Sequence, residues 1–241
     1  MSEVNSISVV LAGYNEETFV AEAIERHIKM LRANFEDYEL ILIDDASRDK
    51  TASIMEHYSN QDSNVILLKN LVNLNFGTSV LRGLKYATKK YVIYNAIDMP
   101  LVPEEIPQII QEASERDADL MVLERLNYRC TSWRKITSNI NLYLLRILFP
   151  QLTKGIHVFN FVQVFRTSVI NEIIPLARSP IFVWPELIFR AKLKKMHIIC
   201  KPVAINPQLH IRGGSFGKPH DIIWGIYDML RFRNRLWGRS I

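Results

Sequence analysis

The sequence is poor in the features on which several protein classes depend. It has only two cysteines, Cys130 and Cys200, too few for a disulfide framework and one short of a three-thiolate metal site, so both are expected to be buried free thiols. No run of about 18 apolar residues occurs, which excludes a membrane-spanning helix within this sequence. Met1 to Ser8 has neither the basic start nor the apolar centre of a signal peptide, and the expected location is the cytosol. No Gly-x-Gly-x-x-Gly follows the first apolar run and no Gly-Lys-Ser/Thr loop occurs anywhere, which argues against nicotinamide dehydrogenases and P-loop enzymes. Internal repeats, low-complexity segments and linkers are also missing, so residues 1–241 are expected to form one domain. What is plentiful is apolar surface: 48% of the residues are hydrophobic and 23% charged, enough to build a core without cross-links and inconsistent with disorder.

The net charge of +5 is modest but unevenly placed. From Arg190 onward there are eleven basic residues against Asp221 and Asp228, so the remainder of the chain is acidic. Such asymmetry points to an anionic partner for the C-terminal third: a phosphate group or a lipid head-group surface rather than nucleic acid.

β-Branched and apolar runs at Ile7–Leu11, Tyr38–Ile43, Val65–Leu68, Tyr91–Asn95, Asp119–Leu123, Phe159–Phe165 and His197–Val203 read as strands. Between them, apolar positions at helical spacing mark helices, the clearest running from Phe19 to Leu31 through Ala23, Ile24 and Ile28. Alternation of this kind predicts an α/β fold with a mainly parallel sheet flanked by helices. The segment Trp133–Phe149 is amphipathic with more apolar surface than a surface helix needs, which suits either core or contact with lipid. In the tail, Ile222, Ile223, Trp224, Ile226, Leu230 and Trp237 interleave with Arg231, Arg233, Arg235 and Arg239, as in a helix that lies on an anionic membrane.

In parallel sheets ligands bind beyond the carboxyl ends of the strands, and Tyr14, Glu16, Asp45 and Asp98 all fall there. A carboxylate fixed at a strand end accepts hydrogen bonds from a base or ribose, or ligates a divalent cation carried by a diphosphate. Gly77-Thr78-Ser79 ahead of a helix offers backbone N–H groups to an anion, though it reads equally as an ordinary helix start.

Three segments together carry a resemblance: Val9-Val10-Leu11-Ala12-Gly13-Tyr14-Asn15-Glu16-Glu17, Ile43-Asp44-Asp45-Ala46-Ser47-Arg48-Asp49-Lys50-Thr51, and Asn73 through Gly77 to Gly83. They resemble the opening motifs of family 2 glycosyltransferases, in particular the branch of polyprenyl (dolichyl) phosphate mannose and glucose synthases. The resemblance implies a GT-A fold and a UDP- or GDP-sugar donor. It also implies transfer, with inversion, to a polyprenyl phosphate or a glycan hydroxyl. By the same resemblance Ala12, Tyr14, Glu16, Asp45, Gly77 and Arg82 hold the nucleotide, and Asp98 contacts ribose and a Mg²⁺ or Mn²⁺ ion. The family's Asp-x-Asp motif reads Ala96-Ile97-Asp98 here, with Pro100 where a third metal ligand often stands, so one carboxylate remains. Trp184-Pro185-Glu186 resembles the family segment whose acidic residue faces the acceptor, making Glu186 the candidate base for a hydroxyl acceptor. His210-Ile211-Arg212-Gly213-Gly214-Ser215 through Lys218 resembles its diphosphate loop: Arg212 and Lys218 would neutralise the leaving group, and His210 would ligate the metal or bond a phosphate.

On this resemblance residues 1–100 form a nucleotide-binding half and 101–218 an acceptor half, while the pattern of 219–241 itself reads as a basic amphipathic helix that either attaches to the inner face of a membrane or packs on the sheet. The reduced metal motif keeps a second reading open, a degenerate nucleotide-sugar-binding protein without turnover. A sugar nucleotidyltransferase would instead need a Gly- and Arg-rich loop where Tyr14-Asn15-Glu16 stands.

Overall fold

The computed structural model describes residues 5–126, 132–177, 179–206 and 219–237. Seven strands form one sheet: β1 (Ser6–Gly13), β2 (Asp37–Asp44), β3 (Val65–Lys69), β4 (Tyr91–Ala96), β5 (Leu120–Leu126), β6 (Gln163–Arg166) and β7 (Ile198–Ala204). Their spatial order is β3-β2-β1-β4-β6-β5-β7. Every pairing is parallel except those of β6, which runs antiparallel to both β4 and β5. The sheet is thus mainly parallel, as the alternating pattern predicts. The stretch expected as a strand from Phe159 is extended only over the four residues of β6.

The helices are α1 (Val20–Asn34), α2 (Thr51–Gln61), α3 (Phe76–Tyr86), α4 (Ile106–Glu115), α5 (Ser132–Leu148), α6 (Pro150–Thr153), α7 (Ile170–Ile173), α8 (Val183–Leu193) and α9 (Pro219–Trp237). They cover both faces of the sheet. α1 shows why they form: its buried residues Val20, Ala23, Ile24, His27, Met30 and Leu31 follow the 3.6-residue period, Glu22 lies in its first turn and Arg32 in its last. β1 and β2 are buried on both faces, as strands covered by two helical layers must be.

Each face has its own core. On one, Ile7, Val9 and Leu11 pack with α1 and α4. On the other, Val10, Ile41 and Ile43 meet α3, and beyond them Phe149, Phe182, Phe189 and Phe232 form an aromatic cluster with ring centroids 5.0 to 6.2 Å apart. This cluster holds α5, α8 and α9 together. α5 is therefore both core and surface: Leu145 is buried, whereas Ile136, Ile140, Tyr143 and Ile147 are exposed. Cys200 is free and half-buried, its thiol donating to the Gly155 carbonyl at 3.5 Å; Cys130 lies outside the described residues.

α3 approaches β1 closely because Gly83 has no side chain. A Cβ there would stand 2.4 Å from Val10 Cγ1 and 3.2 Å from Ile43 Cδ1, both in the packed interior. Gly83→Ala is expected to lower stability even though alanine favours the helix by about 1 kcal/mol, because forcing a methyl group into a filled core costs about 1–3 kcal/mol. A drop in the urea midpoint with an unchanged slope is the expected result.

Candidate functional site

Parallel pairing brings the strand ends to one level. Gly13 stands opposite Asp44, Ala12 opposite Ala96, and Asp44 opposite Lys69. Tyr14, Asp45, Asn70 and Ile97 are therefore the first residues past the ends of four adjacent strands.

The first two loops are knitted together. Asn15 N–H donates to Ser47 Oγ at 3.0 Å, and Arg48 N–H returns to Asn15 Oδ1 at 2.8 Å. Glu16 N–H donates to Thr51 Oγ1 at 2.7 Å, and Glu17 and Asp49 exchange bonds with the backbone of the opposite loop. Ala12 is buried in β1, Tyr14 is exposed and Glu16 is half-buried. A Cβ on Gly13 would meet Ile97 Cγ1 at 2.6 Å, so this glycine lets the first loop lie against the turn that carries Asp98.

Asp45 is almost wholly buried and tightly held. Its Oδ1 accepts from Asn70 Nδ2 and from Leu74 N–H, both at 2.8 Å, while among the described residues Oδ2 accepts no bond. Asn70 also donates to Ser79 Oγ at 2.8 Å, and its own Oδ1 accepts from Arg82 Nη1 at 2.6 Å. Arg82 further donates to the Lys69 carbonyl. Arg82 is thus placed behind Asn70, on the exposed surface, and acts on Asp45 only through it. Gly77 lies buried in the first turn of α3 beside Val183, where a Cβ would find ordinary contact at 3.6 Å.

Asp98 is half-buried in a tight turn closed by Met99 N–H donating to the Ala96 carbonyl at 2.9 Å. Asn95 braces this turn from inside, donating to the Leu101 carbonyl at 2.8 Å, and Asn206 donates to the Met99 carbonyl at 3.0 Å. Behind Asn95 lies His27, whose Nδ1 bonds the Ala23 carbonyl at 2.7 Å and whose Nε2 stands 3.4 Å from Asn95 Nδ2. Complete burial lowers its pKa to about 4, so the ring is neutral, with Nδ1 donating and Nε2 accepting. Left-handed φ values at Asn15 (55°), Ala46 (63°), Asn75 (67°) and Met99 (48°) gather in these loops, strain of the sort that binding sites retain.

Tyr94, one strand position under this site, stacks on Trp184 at 4.3 Å, and its hydroxyl donates to the Phe161 carbonyl. Glu186, two residues further along α8, does not face the strand ends with an open oxygen. Its Oε1 accepts from Leu176 N–H at 3.1 Å and from Arg190 Nε and Nη2 at 2.8 and 2.6 Å, and its Oε2 accepts from Ala177 N–H at 2.7 Å. A base needs a lone pair aimed at the incoming hydroxyl, so this cage counts against the expectation that Glu186 takes a proton. His210, Arg212 and Lys218 lie outside the described residues.

Past the end of β5 there is a cavity of about 220 Å³ lined by Arg125, Ser138, Asn139, Asn141, His157 and Asn160 among others. Asn160 Oδ1 is buried without a partner. β5 lies two strands from β4, roughly 10 Å across the sheet, so this cavity borders the same carboxyl edge. Sequence reasoning did not single out Asn70, Asn95, His27 or the cavity. Asn70 alone left a signal, since it follows its strand just as Asp45 does.

Residues 8–174 match the family described as Glycosyl transferase family 2. The chain belongs to this family. An undecaprenyl-phosphate 4-deoxy-4-formamido-L-arabinose transferase of Proteus mirabilis is 34% identical over 141 residues, 57% of this chain and 42% of that protein. A transferase of the same description from Pseudomonas paraeruginosa is 25% identical over 185 residues, covering 75% of this chain and 52% of its own. The chain thus spans about half the length, or less, of these relatives. Among solved structures, glucosyl-3-phosphoglycerate synthase of Mycobacterium tuberculosis in complex with Mn²⁺, UDP and phosphoglyceric acid superposes with a TM-score of 0.69 at 16% identity, covering 95% of this chain and 78% of that one. S. aureus TarS 1–349 in complex with UDP-GlcNAc gives 0.64 at 18%, covering 94% and 65%. The family 2 chain therefore has the GT-A fold expected from its motifs.

The neutral, buried His27 links this site to pH. An unfolded histidine binds its proton near pH 6.5 and the folded one only near 4, so stability is lost as pH falls through that window, by about 3 kcal/mol once the pH is below both values. His27→Gln is expected to be less stable at pH 7 but to lose less on acidification. Urea midpoints at pH 7 and 4.5 check this, and equal losses in the two proteins would show that His27 does not carry the linkage.

Proposed function

We propose that this family 2 protein transfers a sugar from a nucleoside diphosphate sugar to a lipid-borne phosphate, with release of the nucleoside diphosphate. The observation that carries the reading is the buried Asp45 carboxylate, pinned through one oxygen by Asn70 and Leu74 and level with the braced Asp98 turn. A carboxylate so fixed suits the base or ribose of a nucleotide, because it accepts hydrogen bonds in a set direction and needs no reorganisation on binding. The UDP and UDP-GlcNAc named in the complexes of the M. tuberculosis and S. aureus proteins support a uridine donor, with GDP-sugars as the competing choice. On this reading Ala12, Tyr14 and Glu16 line the base, and Gly77 and Arg82 support Asp45 from α3. Residues 1–100 serve the nucleotide, 101–218 the acceptor, and 219–241 the membrane surface.

The acceptor oxygen attacks the anomeric carbon from the side opposite the diphosphate. The new C–O bond forms as the bond to the diphosphate breaks, and the electron pair leaves with the phosphate oxygen. Inversion follows. A phosphate acceptor is already anionic and needs no base, which agrees with Glu186 being enclosed by four donor contacts. The names of the two bacterial relatives, which specify undecaprenyl phosphate, favour the same class of acceptor. The cavity past β5, with Arg125 and the amides of Asn139 and Asn141, is the proposed place for the acceptor phosphate.

Among the described residues no group of three histidines, cysteines or carboxylates forms a metal cage. A cation carried by a diphosphate needs only one or two protein carboxylates, and Asp98, a hard oxygen donor, fits that requirement, with His210 as a second candidate. Mg²⁺ or Mn²⁺ bound there would offset charge on the departing diphosphate. Arg212 and Lys218 are proposed to do the same from the protein side.

Purified protein incubated with a panel of UDP- and GDP-sugars and polyprenyl phosphate, with and without Mn²⁺ and Mg²⁺, is expected to release nucleoside diphosphate. Donor binding by calorimetry with no release in any combination would instead support the degenerate binding protein that the Ala96 substitution allows. Asp98→Asn is expected to lower kcat by about a hundredfold or more, the size seen when a group stabilising the transition-state charge is lost. Near-normal turnover would remove Asp98 from the mechanism. Asp45→Ala is expected to raise the donor KM by about tenfold or more through loss of a charge-assisted hydrogen bond, with a smaller change in kcat.

A further inference from the structure

One polar atom at the cavity past β5 lacks a partner. Asn160 lines that cavity, and its Oδ1 is buried and accepts no hydrogen bond among the described residues. The backbone around it is tied down on both sides. The Phe159 carbonyl accepts from Gln163 Nε2 at 3.1 Å, and the Phe161 carbonyl accepts from the Tyr94 hydroxyl. Three residues earlier, His157 N–H donates to Glu124 Oε1 at 2.8 Å. Asn160 is thus presented from a fixed segment before anything binds. A buried amide oxygen without a donor is destabilising, and a ligand that brings the missing donor removes the cost.

The lining of the cavity decides what kind of donor that is. Arg125 is the one permanently charged side chain among the lining residues, and no carboxylate stands with it. Ser138, Asn139 and Asn141 add neutral groups that both donate and accept, as the hydroxyls of a sugar do. Leu142 and Val158 contribute apolar surface, which suits the C–H face of a sugar ring. A fully ionised phosphate pairs with an arginine, but it carries no hydrogen and so cannot satisfy Asn160 Oδ1. Nor does a phosphate fill the space: a cavity of about 220 Å³ has the volume of about seven waters in the liquid.

We infer that Asn160 reads the sugar being transferred, its Oδ1 accepting a hydrogen bond from a hydroxyl or amide N–H of that sugar, while Arg125 takes the acceptor phosphate in the same cavity. The inference rests on the proposed nucleotide-sugar donor and names the residue that selects among its sugars. β5 lies two strands from β4, roughly 10 Å across the sheet, so a nucleotide held at Asp45 and Asp98 can extend its diphosphate and sugar along the carboxyl edge to this cavity. Sugar and phosphate would then share one space, with the anomeric carbon beside the attacking oxygen. A sugar that offers no donor to Asn160 would leave the amide oxygen desolvated and unpaired, which is how a site built for a hydrogen bond rejects an analogue lacking it.

Calorimetry on the full chain with Mn²⁺ and without acceptor tests the inference. The ligands are UDP, UDP-glucose, UDP-galactose, UDP-xylose and UDP-N-acetylglucosamine, beside GDP, GDP-mannose and GDP-glucose. The wild type is expected to rank the sugars of one nucleotide over about tenfold or more in affinity. Asn160→Leu, which replaces the amide by an apolar group of similar size, is expected to flatten that ranking while the affinity for the free nucleoside diphosphate stays within about twofold. At least one of Asn160→Leu and Asn160→Ala is also expected to raise the urea midpoint, because each removes an unpaired buried acceptor. A fall in both would show that the oxygen is already satisfied in the free protein, by an ordered water for instance, and would overturn the inference. Binding of UDP or GDP with no ranking of their sugars, or a ranking that Asn160→Leu leaves intact, would overturn it and leave the nucleotide reading standing. Failure to bind either nucleoside diphosphate would overturn both.

Discussion

Everything at the candidate site depends on the parallel pairing of β1 with both β2 and β4. Because Gly13 is level with Asp44 and Ala12 with Ala96, three loops leave the sheet at the same height and must share one space. Their backbone polar groups cannot all be met by the strands, so the loops satisfy one another: Asn15 with Ser47 and Arg48, Glu16 with Thr51, Glu17 with Lys50. The side chains left over from this exchange are the ones aimed at a ligand. A site made in this way is rigid before anything binds, and its polarity is set by backbone register rather than by long flexible side chains.

The two carboxylates at this edge are supported differently. Asp45 is supported from the side, through an amide whose own orientation is fixed by Arg82 on the surface. The turn that carries Asp98 is braced from below, through Asn95 and a histidine kept neutral by burial. Both supports use asparagine, whose amide donates and accepts from one planar group and so can stand between a carbonyl and a second polar group.

Much of the fold was legible because the strands that form the parallel half are β-branched runs bounded by polar turns, and β1 to β4 begin and end within a few residues of where the pattern puts them. The direction of β6 was not legible, since a four-residue strand has the same apolar character whichever way it runs. The resemblance to known motifs located Asp45 and Asp98, but it could not show that Arg82 acts through Asn70. Nor could it show that Glu186 is enclosed, because two of its donors are backbone groups of Leu176 and Ala177 some ten residues away. His27 was invisible for a related reason: on an apolar helix face a histidine reads as one more core residue, and its acceptor role appears only when Asn95 is brought beside it from sixty-eight positions along the chain.

The stack of Tyr94 on Trp184 has a mechanical consequence. Burial holds the Tyr94 hydroxyl in its protonated form, and the bond it donates to the Phe161 carbonyl ties a central strand to the segment leading into β6, while its ring is clamped by the first turn of α8. One side chain therefore joins the two flanks of the sheet directly beneath the strand ends. Among the described residues, this seam resists any opening of those flanks against one another. The loops knitted together above this seam therefore rest on a floor held in place from beneath.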